Sequence, residues 1–564
     1  MTSRAARLTI LVIAVAVAAT ALAACGGGDS SSSESSSAAT SSSESSEPFP
    51  KYADWPYFGR DRDNTRFATQ DEIDTSNVDE LGEAWSTGVG PDQFLMEAFP
   101  SVIGRTVYVT TSTDEVLASD AATGKTKWTY TPEVDFSQST GVGGYGISVN
   151  RGIAHEGGRL FLLTFDDKLQ AVSAKTGEKL WSSEVADPST GAYQSMAPTA
   201  YDGKVFVGVS GSEDGVRGFL AAYDQKTGKK IWQFYTVPKE GTGWVPKGGG
   251  GGTIYMPPTI DTRTGTIYAG TGNPAPVIVG SKRPGRNLYT DSILALDADT
   301  GKLKWFHQEQ AHDLWDYDAE SPVVLFDVEI NGEQKRGVAE AGKNGLLFLL
   351  DAETGEDLFP PVPFVKRDHK PPTKKGVLEC PGAVGGSQYS PLAYSPETEA
   401  VYVSGINLCM ILRVTFEQVG GETQFGCDRV VPSDQPKTGT FTAVTVNDGK
   451  VLWKRNMPTP MDGGATASAG GLVFTGDQQG VLYGFDATNG DVLWQGNLKL
   501  AFGAAPVIYE IDGTEYVLAT VGGAALSASE ELGPIGARVI ALKLGGKKLE
   551  PGPALPESSL IKSP

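Results

Sequence analysis

Seven times along this chain a residue, small in six of the copies, is followed by a turn-forming stretch ending in glycine, and then by an aromatic residue four positions beyond that glycine. The copies are Ala118 to Trp128 (ASDAATGKTKW), Ala171 to Trp181 (AVSAKTGEKLW), Ala222 to Trp232 (AYDQKTGKKIW), Ala295 to Trp305 (ALDADTGKLKW), Leu349 to Phe359 (LLDAETGEDLF), Ala443 to Trp453 (AVTVNDGKVLW) and Gly484 to Trp494 (GFDATNGDVLW). They recur at spacings of roughly 40 to 95 residues, the signature of an array of small sheets around an axis. The apolar run before each motif reads as a strand, the Asp/Thr/Gly stretch as its hairpin turn, and the run into the aromatic as the next strand. Glycine supplies the positive φ of such turns, and the Asp or Thr side chain bonds the turn backbone. The tryptophan is expected to pack flat between neighbouring sheets, none of which buries both its faces alone.

The fold class that follows is all-β: an eight-bladed β-propeller of four-stranded antiparallel blades with tryptophan-docking repeats. The eighth blade is implied at the seam, where Leu81–Trp85 reads as an outer strand and Arg538–Lys543 as strands from the other end of the chain. Joining the two ends in one blade closes the ring and removes exposed edges. The 70 glycines, spread between short apolar runs, fit this class. Residues 51–564 are read as one propeller domain. The long intervals from Trp232 to Trp305 and from Phe359 to Trp453 should hold loops that build the functional face.

Ahead of the propeller, Arg4 and Arg7 precede an apolar stretch, Leu8 to Ala24, that ends in Leu22-Ala23-Ala24-Cys25. Residues 1–25 thus read as a lipoprotein signal peptide whose lipobox cysteine, Cys25, is acylated. Residues 26–50, with the Ser/Glu tract from Ser30 to Glu47, read as a disordered Ser-rich tether. The expected location is the cell envelope, outside the cytoplasm and lipid-anchored to the membrane. No later stretch is long and apolar enough to span a bilayer. A net charge of −21 argues against nucleic acid as a partner and is compatible with a basic redox protein. Of Cys380, Cys409 and Cys427, an oxidising compartment should bridge one pair and leave one thiol over. No CxxCH occurs, so the sequence provides no covalent c-type haem site.

Three segments outside the repeat carry candidate chemistry: Ser210-Gly-Ser-Glu-Asp-Gly-Val-Arg-Gly218, Gly270-Thr-Gly-Asn-Pro274 and His312-Asp-Leu-Trp-Asp-Tyr-Asp318. Each follows a strand or repeat motif, so Glu213, Asn273 and Asp316 come from three successive blades. Oxygen ligands converging near a propeller axis suit a hard cation such as Ca²⁺. Singly, each has a bland reading as a solvated loop residue or a turn. The aspartates flanking an aromatic beside Trp315 are harder to dismiss, since such a cluster costs stability unless positive charge sits near.

With these segments in place the chain resembles the dehydrogenases that use pyrroloquinoline quinone (PQQ) to oxidise alcohols, including methanol and ethanol dehydrogenases, along nearly all of its length after the leader. The resemblance opens with Asp54-Trp-Pro-Tyr-Phe-Gly-Arg60 and Asp63-Asn-Thr-Arg-Phe67 and ends in Gly470-Gly-Leu-Val-Phe-Thr-Gly476. It implies that Glu213, Asn273 and Asp316 are metal ligands, that Asp316 is also the catalytic base, and that Lys343 contacts the quinone oxygens. It further implies that Glu97, Arg151, Ser195, Ser210 and Thr253 hold the cofactor's carboxylates, with Gly211 and Ser212 of the same segment beside them. Cys380 and Cys409 match a structural disulfide, which leaves Cys427 unpaired. The chemistry implied is hydride transfer from an alcohol, polyol or sugar to metal-bound PQQ, with electrons passing to a separate cytochrome or quinone.

Three departures qualify the resemblance. Adjacent cysteines of the family are replaced by Tyr145 and Gly146, its tryptophan beneath the cofactor by Tyr255, and an asparagine near the quinone by Gln388. Tyr255 can still stack and Gln388 can still donate. Asp318, two residues after the base, resembles an added ligand of lanthanide-using methanol dehydrogenases, although membrane glucose dehydrogenases share it and use divalent ions. The metal the resemblance implies is therefore Ca²⁺ or a lanthanide. Two other readings fit the lipobox and the repeats: a non-catalytic propeller lipoprotein that acts as a protein-assembly scaffold, and a decayed enzyme. A scaffold has no need of the oxygen-ligand trio with Lys343 and Arg151. The four histidines, His155, His307, His312 and His369, show no metal-ligand spacing, and His312 is expected to support its loop by hydrogen bonds.

Overall fold

In a computed structural model of the chain, residues 54–90, 93, 95–137, 141, 147–419, 422–523 and 536–562 are described. The leader with Cys25, the Ser-rich tether and the Tyr145–Gly146 pair lie outside them. Eight antiparallel sheets follow one another in chain order. Seven are built from strands in chain order, starting at Ser101, Ala154, Thr199, Thr259, Val324, Ala393 and Ala465, the one at Ala393 interrupted between its second and third strands. We number these blades 1 to 7. Blade 8 joins Val507–Ile511, Thr514–Gly522 and Ala537–Leu544 to Leu81–Gly88 from the other end of the chain. Two blades carry an added fifth strand: Leu560–Lys562 on blade 6, and Phe67–Ala68 in parallel on blade 7.

The repeat acquires a mechanical explanation here. Across each hairpin the small residue of the motif faces the tryptophan directly: Ala118 opposite Trp128, Ala171 opposite Trp181, Ala222 opposite Trp232, Ala295 opposite Trp305 and Ala443 opposite Trp453. The indole then reaches the next blade and lies on the glycine of its turn. A methyl group at Gly177, Gly228, Gly301 or Gly490 would come within 2.7 Å of Trp128, Trp181, Trp232 or Trp453 respectively. Only glycine has both the positive φ and the empty side for this contact. The indole N–H completes the dock, as in Trp181 Nε1 donating to Gln225 O at 3.1 Å and Trp232 Nε1 donating to Ala298 O at 3.1 Å. At the seam Trp85 faces Ala541 and docks on Gly124 of blade 1, so the two chain ends rebuild a copy of the motif that no continuous stretch contains. Between blades the core is shared: Phe161, Leu163 and Leu169 of blade 2 pack with Val205, Val207 and Ala221 of blade 3.

The first strands of successive blades contact each other from blade 4 through blade 8, which puts them around the axis. The segment from Trp55 to Ala68 reaches all eight blades. Trp55 bridges Val102 of blade 1, and Arg62 reaches Glu156 of blade 2 and Ala200 O of blade 3. The carbonyls of Arg62, Asp63 and Thr65 accept from Ile260, Leu325 and Tyr394 of blades 4, 5 and 6. Buried Arg66 donates to Ala465 O of blade 7 and to Pro506 O at the entry of blade 8.

The interval between Phe359 and Trp453, expected to hold loops of the functional face, also contains a small sheet of its own. Val377–Glu379 pairs with Met410–Val419, which pairs with Glu422–Val430. Cys380 and Cys409 are joined by a disulfide at its base, and Cys427 is a free thiol. No helix among the described residues is long and apolar enough to cross a membrane.

Candidate active site

Because the first two strands of a blade are antiparallel, the loop entering the first and the loop leaving the second lie at one end of the ring. Arg151, Ser195, Thr253, Tyr255, Asp316, Asp318 and Gln388 precede first strands, while Ser210, Glu213, Asn273 and Lys343 follow second strands. Residues scattered over more than 230 positions are thereby gathered at one end of the axis.

Two connected groups result. In the first, Arg151 Nη2 pairs with Glu97 Oε2 at 2.6 Å, Arg151 Nη1 donates to Ser195 Oγ at 2.8 Å, and Ser195 Oγ lies 2.8 Å from Ser210 Oγ. The Ser212 and Thr253 hydroxyls are 2.7 Å apart, and the Gly211 turn sits against Gly191. The Arg151 guanidinium lies over two rings, 5.4 Å from the centre of Tyr255 and 4.8 Å from that of Tyr389. Burial raises the Glu97 carboxyl, against the pull of Arg151. Tyr389 escaped sequence reasoning.

In the second group Lys343 Nζ lies 2.5 Å from Asp318 Oδ2 and 3.6 Å from Asp316 Oδ1. Asp318 also accepts from Tyr255 Oη at 2.7 Å and from Asn273 N at 2.7 Å, so its oxygens are satisfied. Tyr255 therefore joins the two groups. Burial pushes Asp316 up to about 6, with Lys343 and Arg429 pulling down and Asp318 and Glu213 pushing up. Burial disfavours the Lys343 ammonium, but Asp316 and Asp318 outweigh it and hold its pKa above the usual lysine value. The Asp316 loop is fixed from below: Asp313 accepts from Trp315 N and Asp316 N at 3.0 Å each, and Trp315 stacks on His369 with ring centres 4.2 Å apart. His312 serves its loop through Nδ1, 2.8 Å from Gly285 O.

Arg429 was not singled out in the sequence. Its Nη1 pairs with Asp316 Oδ2. It arrives from the small sheet, where it stands opposite Leu412, and Leu412 packs with Trp315 and Tyr317. Cross-strand partners share a face, so the sheet rests on the Asp316 loop and carries Arg429 into the site.

The four residues named as metal ligands do not form one cage in this arrangement. Glu213 is exposed, the Asn273 amide turns to Pro274 O at 3.2 Å, and Asp318 is engaged as above. Among the described residues no three carboxylate, imidazole or thiol groups converge as a cation cage. The chemistry of the set nevertheless fits a hard cation and a polar, carboxylate-bearing quinone. The donors are carboxylate and amide oxygens, and Asp316 Oδ1, Arg151 Nε and Gln388 Oε1 are buried without a hydrogen bond.

Residues 55–365 match the family model described as the glucose/ethanol/alcohol dehydrogenase β-propeller domain that bears the name PQQ. The chain belongs to the PQQ-dependent alcohol dehydrogenase family. A shorter stretch, residues 437–531, matches the model described as outer membrane protein assembly factor BamB. The chain is 34% identical over 533 residues to a quinohemoprotein alcohol dehydrogenase of Comamonas testosteroni, covering 85% of this chain and 75% of that protein. It is 32% identical to the dehydrogenase subunit of a quinone-linked alcohol dehydrogenase of Gluconobacter oxydans, covering 83% and 70%. Among solved structures the Comamonas testosteroni enzyme superposes with a TM-score of 0.79 at 30% identity, covering 89% and 82%. A europium-containing methanol dehydrogenase does so with a TM-score of 0.77 at 27% identity, covering 87% and 98%. The chain is thus a PQQ-dependent, alcohol dehydrogenase-like enzyme, and the propeller is the fold of that family.

Proposed function

We propose that this enzyme oxidises an alcohol, polyol or sugar hydroxyl at the end of the axis where Asp316 and Lys343 meet, with PQQ and either Ca²⁺ or a lanthanide ion. The observation that carries this reading is the buried Asp316 carboxylate, paired with two cations yet with Oδ1 free of any hydrogen bond. When bound, the quinone accepts hydride and the metal ion polarises its carbonyl.

The remaining work falls to side chains. Asp316 accepts the hydroxyl proton as hydride leaves the carbinol carbon. The raised Asp316 carboxyl and the firmly protonated Lys343 supply a base and a fixed positive charge side by side. Arg151, Ser195, Ser210, Gly211, Ser212, Thr253 and Gln388 would hold the cofactor's polar rim, Glu97 orients Arg151, and Tyr255 offers a ring to stack on. Glu213, Asn273, Asp316 and Asp318 would hold the metal ion, Asp318 as the extra carboxylate that favours a more highly charged cation.

Electrons then pass to a separate carrier, a cytochrome or a quinone. Relatives point both ways, one being a quinone-linked alcohol dehydrogenase subunit and another a cytochrome c-linked lupanine 17-hydroxylase. We place the enzyme outside the cytoplasm, tethered through an acylated Cys25. Reconstitution of the purified protein with PQQ and Ca²⁺ or La³⁺, followed by dye-linked oxidation of alcohols and sugars, tests the reading. Turnover that needs both cofactor and metal and is lost in Asp316→Ala supports it. Failure to bind PQQ with either metal rejects it.

A further inference from the structure

We infer that Arg429 makes this site select alcohols that carry an anionic group, such as ω-hydroxycarboxylates, over uncharged alcohols of the same length. The inference rests on the alcohol-oxidising reading of Asp316 and names the substrate class of that site.

Four observations converge on it. Arg429 touches the carboxylate that takes the substrate's proton, so its guanidinium lies beside the place an alcohol must occupy. Only Nη1 is engaged by a described residue. The side chain is 22% exposed and none of its nitrogens is a buried orphan, so the other donors are not shut away from a ligand. A guanidinium offers five N–H donors in a plane and binds a carboxylate through two at once. The group is also held in place. The sheet that bears it is tied by the Cys380–Cys409 disulfide and rests on Trp315 and Tyr317 through Leu412.

Charge supplies the fourth. Lys343 already stands against Asp316 and Asp318, so Arg429 is a second fixed cation beside the same base. A neutral alcohol leaves the remaining guanidinium donors to water, whereas an anionic one pairs with them. The cofactor's rim is provided for elsewhere, on the far side of Tyr255, where Arg151 is buried between Tyr255 and Tyr389.

The test compares 4-hydroxybutanoate with butan-1-ol on the enzyme reconstituted with PQQ and metal, and reads the ratio of their kcat/KM values. Disturbing Asp316 lowers both values together, so the ratio isolates recognition of the charge. Wild type is expected to prefer the hydroxy acid by about tenfold or more, Arg429→Gln to erase the preference, and Arg429→Lys to keep part of it. A ratio near one in wild type, or one that Arg429→Gln leaves unchanged, overturns the inference. Should the variants fail to fold, inhibition of wild type decides: butanoate should compete with butan-1-ol where butylamine at equal concentration does not, and equal inhibition overturns the inference. Should no alcohol turn over, the functional reading fails on its own. Calorimetric binding of butanoate to wild type then decides the inference separately: binding weakened at least tenfold in Arg429→Gln sustains the anion site, and absent or unaltered binding removes it.

Discussion

Tyr255 donates its hydroxyl to Asp318 Oδ2 at 2.7 Å, and this bond joins the arginine group of the site to the lysine–aspartate group. The ring and the hydroxyl of this residue therefore have separable roles. Tyr255→Phe keeps the ring and leaves Asp318 with one partner fewer. A buried hydrogen bond to a charged group is worth roughly 1.5–3 kcal/mol. We expect kcat/KM to fall about tenfold or more while PQQ affinity, followed by absorbance titration, changes less than about threefold. Tyr255→Ala should weaken PQQ binding as well. Equal cofactor affinity in both variants would show that the ring does not stack on the quinone.

Gly301 and Gly513 both adopt positive φ, +67° and +76°, but only Gly301 lies under an indole. A methyl group there would stand 2.5 Å from the Trp232 ring, whereas nothing lies within 4 Å of one at Gly513. Gly513→Ala should cost about 1 kcal/mol from backbone strain alone, and Gly301→Ala about 1–3 kcal/mol more, because the dock between blades 3 and 4 must open. Thermal or denaturant unfolding of the two variants side by side measures the difference.

Asp167 is fully buried in blade 2, where burial raises its carboxyl to about 7, and only Oδ1 is bonded, by Gln194 Nε2 at 2.8 Å. A carboxyl raised on folding binds its proton more tightly in the native than in the unfolded chain. Its stabilising contribution is therefore complete below about pH 4 and is lost as pH rises toward about 7. Asp167→Asn keeps the acceptor, tolerates the residue's φ of +60° and removes the charge. We expect its stability to exceed that of wild type by on the order of 2 kcal/mol at pH 8 and to converge with it below about pH 4. Equal stability of the two proteins at pH 8 would contradict the assignment.

Removing the Cys380–Cys409 disulfide with a double serine substitution should loosen the small sheet more than the ring. Closing a loop between cysteines 29 positions apart is worth roughly 3.6 kcal/mol. Hydrogen exchange is expected to quicken in Val377–Glu379, Met410–Val419 and Glu422–Val430 and to stay slow in the blades. Uniform quickening throughout would mean that the bridge stabilises the ring itself.

The blades were legible because their repeat is written in consecutive residues, down to Phe359 standing where the other copies have tryptophan. The glycine before each tryptophan reads as a turn signal, but its service to the preceding blade's indole appears only in three dimensions. At the seam, Trp85 was recognisable as part of a strand, while its partner Ala541 lies more than 450 residues away. The site divides in the same way. Asp316, Lys343, Arg151 and the serines sit in segments that interrupt the repeat and draw attention by type. Arg429 sits in a strand with no motif around it and meets Asp316 113 residues away in sequence. A one-sided sheet facing a loop leaves no periodicity from which such a pairing can be read.

The segment from Trp55 to Ala68 bonds to blades that span the chain from Val102 to Pro506. It emerges early in synthesis, yet its last partners come some four hundred residues later. Arg66 in particular has no home until blades 7 and 8 exist, and a buried guanidinium without carbonyls to receive it is costly. Assembly of this ring is therefore a late, whole-chain event rather than blade-by-blade accretion. Its blades are built from neighbouring strands, but its last hub contacts and its seam join residues about 400 or more positions apart, which favours slow closure. A chain interrupted after six blades lacks not only two sheets but also the carbonyls of its hub, and it should be handled by the cell as an unfolded protein rather than as a smaller propeller.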